Sequence, residues 1–178
     1  NEVAQVVAFD PVGKKSSPSI YPNSLMGVIA VIRQTFLETQ YSLDRMRVEE
    51  INPSANPFTM HEGIDSLLRS LQPNPTLPLW MEPGSCLMMG KAIELGQEFD
   101  LSPPVLIATG QEWRRPDLTL SSEHHYVLPL VFPAPAKLPN QEDWDQVSLD
   151  QLRSWDLAAS TPSLLSSKAK SLSFTTSG

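Results

Sequence analysis

The side chains able to do chemistry are few and scattered along the chain. His124 and His125 stand side by side at the head of HHYVLPLVF, residues 124–132. Neighbours in an extended segment point to opposite faces, so the two rings cannot converge on one ligand, and the pair is expected to be solvated. His61 lies in a proline-flanked segment and is expected at the surface. Cys86 is the single cysteine, which excludes an internal disulfide framework or a CxxC zinc site and reads as a small packing residue. Trp113, Arg114 and Arg115 form a cationic, aromatic cluster. A guanidinium fork holds a carboxylate through two parallel hydrogen bonds, so the cluster can receive a carboxylate-bearing ligand or an adjacent domain; the plainer expectation is a solvated loop. Glu142, Asp143 and Asp145 around Trp144 read as a loop and helix entry, and Met88 and Met89 as core filling. No HxH, GxGxxG or GxxxxGK[ST] occurs, so a nucleotide-binding open sheet has no positive support.

The elements that must position these residues change character along the chain. Residues 1–22 read as a loop with a short apolar lead-in, VAQVVAF. A helix then opens in YPNSLMGVIAVIRQTFLETQY, where Asn23 or Ser24 can cap it. Leu25, Val28, Ile29, Ile32, Phe36 and Leu37 recur at three and four residues as one apolar stripe. EGIDSLLRSLQ predicts a shorter helix. From residue 77 short apolar runs alternate with helical ones. LPLWME (77–82), PPVLIATG (103–110), HHYVLPLVF (124–132) and SLSFTTSG (171–178) predict strands. GSCLMMGKAIELGQEF, VSLDQLRSWDLA with Ser148 as cap, and TPSLLSSKAK predict helices between them, whereas QEWRRPDLTLSSE, broken by Pro116, does not predict a firm one. Strands separated by helices need crossover connections, so the expected class is α/β with parallel strands. An open doubly wound sheet and part of a closed (β/α) barrel both satisfy that pattern.

Composition bounds the partners. The 178 residues are 40% hydrophobic and 19% charged, within the range of one globular domain. The net charge is -7 and the sequence pI about 4.9, which argues against a binder of the nucleic-acid backbone. No apolar run approaches the ~20 residues of a membrane helix. Asn1 stands where an initiator methionine would, no leader pattern follows, and the chain stops just after a strand; these features read as an interior piece of a longer protein.

Several stretches together resemble one family. YPNSLMGVIAVIRQTFLETQY, LPLWMEPGSCLMMGKAIELGQEFDL, VLPLVFPAPAKLPNQEDWDQVSLDQLRSWDLAASTPSLL and SFTTSG are similar to successive segments of an imidazolonepropionase-related bacterial branch of the amidohydrolase superfamily. The resemblance runs from about residue 18 to the end. It implies a partial TIM-type (β/α) barrel with outer helices, residues 23–178 forming its later half. It further implies a parent hydrolase acting on C–N bonds, other than peptide bonds, of a small or cyclic amide. Partners implied are the missing barrel half, a second amidohydrolase domain and a small-molecule substrate, with a periplasmic or secreted setting favoured; the fragment alone is not expected to be an enzyme. The alternative is a non-catalytic binding or structural barrel domain of a larger protein.

Members of this superfamily hold zinc or a similar divalent ion with histidines and an aspartate at the C-terminal ends of barrel strands. Where the resemblance places a metal histidine after the 77–82 strand, this chain has Glu82, able to act as a base or to ligate a hard ion. After the next strand ATGQE offers Thr109, Gln111 and Glu112, with Arg114 following. Where a GTD-like aspartate would end the last strand, Thr175, Thr176 and Ser177 stand instead. Glu82 is thus the candidate catalytic residue. Gln111, Glu112, Arg114, Thr176 and Ser177 are the candidate ligand-binding residues, in a domain expected to be degenerate in metal ligands, any zinc being held elsewhere in the parent.

Overall fold

The computed structural model describes residues 2–11, 21–53, 65–72, 75–120, 123–134 and 146–176. His61, Glu142, Asp143, Trp144, Asp145 and Ser177 lie outside them. The elements are β1 (Gln5–Ala8), α1 (Leu25–Ile51), α2 (Asp65–Leu71), β2 (Leu79–Glu82), α3 (Cys86–Glu98), β3 (Val105–Ile107), a 3-10 turn (Glu112–Arg114), α4 (Pro116–Thr119), β4 (His125–Pro129), α5 (Leu149–Ala158), α6 (Thr161–Ser166) and β5 (Ser171–Thr175). The strands form one five-stranded parallel sheet in the order β1-β2-β3-β4-β5. The α/β class with parallel strands therefore holds, and β1 is an addition: it occupies the apolar lead-in expected to be loop. Among the described residues no helix is long and apolar enough to cross a membrane.

The chain divides into two compact units. The first comprises residues 1–82 and 92–105. In it β1 pairs with β2 from Gln5 opposite Leu79 to Ala8 opposite Glu82, and the Phe9 N–H donates to the Glu82 carbonyl at 2.9 Å. α1 begins where Ser24 Oγ accepts the Gly27 N–H, a side-chain cap that satisfies one orphan donor of the first turn. A Cβ on Gly27 would stand 3.2 Å from both Pro22 and Tyr21, so a glycine lets the entering chain lie against the helix. Val28, Ile32 and Phe36 are buried, and Phe36 meets Phe99 edge to face at 5.2 Å.

The buried stripe differs from the expected one. Leu25 and Leu37 are exposed, while Thr39 and Ser42 are buried. Their hydroxyls donate to the Thr35 and Glu38 carbonyls at 2.7 and 2.8 Å, so neither polar group is left unsatisfied by burial. α3 ends in a Schellman arrangement: Leu101 N–H reaches the Gly96 carbonyl and Asp100, at φ +50°, reaches Gln97.

The second unit comprises residues 83–91 and 106–178. β4 pairs with β5 from His125 opposite Ser171 to Pro129 opposite Thr175, and the Ala108 N–H donates to the Val127 carbonyl at 2.8 Å. Strand β4 alternates, with Tyr126 and Leu128 buried, and Leu106, Ala108 and Leu165 are buried in the same unit. Cys86 and Met89 are also buried, as expected of packing residues, whereas Met88 is only half-buried. The segment after β3 is more regular than expected, because Pro116 takes the first position of α4, where its missing N–H costs nothing. Its last residue, Thr119, donates to Arg115 at 2.9 Å and accepts the Tyr126 hydroxyl on its carbonyl at 2.8 Å.

Candidate functional site

In parallel α/β folds ligands gather at the carboxyl ends of the strands. Glu82 closes β2 and is exposed. The chain turns at once: Gly84 takes φ +72° with open space around it, and Ser85 Oγ accepts the Met88 N–H of α3 at 3.3 Å. Glycine is needed there for its backbone conformation rather than for room. Three residues thus carry the chain from the Glu82 carboxylate into α3.

After β3 the loop is built around Glu112. This side chain is fully buried, and its Oε1 accepts the Thr109 N–H at 2.6 Å and the Thr109 hydroxyl at 2.9 Å. Oε2 has no hydrogen-bond partner among the described residues. Thr109 Oγ1 in turn accepts the Gln111 N–H at 3.3 Å, and Gly110 sits at φ +78°. Glu112 is therefore spent on holding its own loop, while Gln111 is exposed at the rim.

Arg114 is also engaged within the unit. Its guanidinium lies 4.8 Å over the Trp113 ring and forks onto Asp150, with Nη2 at 2.8 Å from Oδ2 and 3.1 Å from Ser154 Oγ. The hydrogen bond from Arg114 holds the Asp150 carboxyl below the usual carboxylate range. Asp150 occupies the first turn of α5, which Ser148 and Gln151 close as a capping box. Trp113, Arg114, Leu149, Asp150 and Arg153 line a cleft of about 420 Å³. Arg115 pairs with Asp117 at 2.8 Å. Trp113 and Arg114 are half-buried and Arg115 is exposed, so the loop meets solvent while cation, ring and carboxylate hold one another.

His124 also departs from expectation. It is buried, with 5% of its surface exposed, and its ring centroid lies 6.5 Å from that of the buried Tyr126. His125 is half-buried and its Nδ1 bonds Ser171 Oγ. Thr176 is exposed, one residue beyond β5.

The structure thus brings Glu112 together with Thr109 and Arg114 with Trp113. Sequence reading missed Asp150 and Ser154 as the partners of Arg114; the Ser148 cap, which places Asp150 in a first helical turn, was the available signal. Among the described residues no three His, Cys, Asp or Glu side chains gather to hold a metal. No family model, no curated protein and no solved structure matches this chain.

Proposed function

We propose that this chain is the later part of an amidohydrolase-like (β/α) barrel, in a protein that hydrolyses C–N bonds, other than peptide bonds, of a small or cyclic amide. The observation that carries the reading is the strand order, five parallel strands following one another without a reversal. Crossovers between parallel strands are right-handed, so an unbroken order sends every connecting helix to the same face, as in a barrel. A doubly wound sheet has to reverse its order to cover both faces. In this reading β1 and β5, the outer strands of the sheet, meet the other barrel half. Glu82 takes a proton from the attacking water, and Gln111, Thr176 and Ser177 are the ligand-binding candidates. Glu112 and Arg114 hold the loop after β3 in shape.

A second reading is favoured by those same two residues. Because Glu112 is tied to Thr109 and Arg114 to Asp150, a barrel built this way serves equally as a non-catalytic binding or structural domain. One experiment separates the two. The full-length protein is assayed for metal content and for turnover of a panel of lactams and other cyclic amides, alongside Glu82→Gln. The hydrolase reading expects turnover that falls by about 10²-fold or more in the variant, the scale of a lost general base. Folded, metal-supplied protein without turnover establishes the binding reading instead; turnover unchanged in Glu82→Gln removes Glu82 from the chemistry.

A further inference from the structure

Helix α1 has two apolar faces, and only one is buried. Met26, Ala30, Leu37, Tyr41, Val48 and Ile51 are all exposed, Met26 and Ile51 at 84% and 85%. At roughly 100° per residue they fall within an arc of about 80°, a single stripe along a helix about 40 Å long. Large apolar residues aligned in this way mark a contact surface rather than scattered surface hydrophobics. Two exposed charges, Arg33 and Asp44, interrupt the stripe on the same arc.

The stripe is symmetric about a midpoint near residues 38 and 39. Laid end for end against a second copy, Met26 comes opposite Ile51, Ala30 opposite Val48, Leu37 opposite Tyr41 and Arg33 opposite Asp44. A two-fold axis repeats each pairing, so two Arg–Asp pairs flank a Leu–Tyr centre. We propose that this stripe is a self-association surface on which a second copy of the chain docks its own α1 antiparallel, with Arg33 paired to Asp44 of the partner subunit.

Charge complementarity selects this occupant. A parallel pair of copies would set Arg33 against Arg33 and Asp44 against Asp44, and a wholly apolar partner would strip water from both charges and return no new pairing. Within its own chain Arg33 donates from Nε and Nη2 to a single Glu98 oxygen at 3.2 and 2.7 Å, and Asp44 Oδ1 accepts from Arg47 at 3.2 Å. These are exposed pairs of small worth, and Arg33 Nη1 and Asp44 Oδ2 are the atoms used across the axis. A contact about 40 Å long and about 10 Å wide covers about 400 Å² per copy, half the ~800 Å² per partner of a standard stable interface. The dimer is therefore weak and dissociates on dilution. It does not depend on the hydrolase reading.

Sedimentation velocity on the full protein tests it, over concentrations from on the order of 1 µM to on the order of 200 µM. The expected result is a shift from monomer to dimer across that range, abolished by Leu37→Glu with an unchanged far-UV spectrum. Arg33→Glu and Asp44→Arg each weaken association by about 10-fold, and the double reversal restores it. Should Leu37→Glu fail to fold, the charge reversals decide alone. A monomer at every concentration, a dimer indifferent to Leu37→Glu, or a double variant no better than the single ones overturns the proposal.

Discussion

Burial bears most directly on His124 among the histidines described. Its ring lies ahead of β4 with Nδ1 lacking a hydrogen-bond partner among the described residues. Burial pushes its pKa down, with Glu123 pulling it up and His125 pushing it further down. The folded state therefore binds fewer protons than the unfolded chain, whose histidine titrates near 6.5. The stability this group contributes is complete above that value and is lost as pH falls through the folded pKa. Urea unfolding measured at about pH 7.5, 6.5 and 5.5 is expected to show stability declining over the lower interval, with a shallower decline in His124→Phe. Residue identity was readable in the sequence, but residue role was not. Glu112 was a ligand-binding candidate because ATGQE offers little else, and only the fold turns its carboxylate back onto Thr109. Arg114 was a candidate anion receptor, and the anion it receives is Asp150 of its own unit.

At the scale of elements the local signals read well. The cap at Ser148 was legible, since the N-cap and the residue three positions on interact across one turn. Ser148→Ala is expected to cost about 1 kcal/mol, seen as a fall of about 2–4 °C in Tm by calorimetry. Helix α1 was legible as a helix and less so as to its buried face. Its apolar residues populate two faces, so Leu37 could be assigned to the core by spacing alone, while Thr39 and Ser42, polar by type, are the residues the core takes. Back-bonding to the preceding turn is what allows that. β1 escaped notice because four residues of strand, Gln5–Ala8, carry too short a period to distinguish from an apolar loop.

At the scale of the whole molecule the parallel sheet has β1 and β5 as its outer strands. An edge strand offers a row of backbone donors and acceptors to any other chain. On β5, Phe174 is 54% exposed and adds an apolar side chain to that edge. Phe174→Lys in the 178-residue chain is expected to reduce light scattering on heating, with stability changed by less than about 0.5 kcal/mol, as befits an exposed site. By itself the sequence determined the α/β class, the helices and their caps, and four of the five strands to within a few residues. Periodicity, capping and turn chemistry act over one or two turns of chain, so those features need no distant partner. The tertiary structure alone decided the strand order, the burial of His124, the closure of Glu112 onto its loop and the pairing of Arg114 with a carboxylate 36 residues away. Each of these depends on which segments meet in space, and loop closure and packing between distant segments leave no periodic trace in the chain.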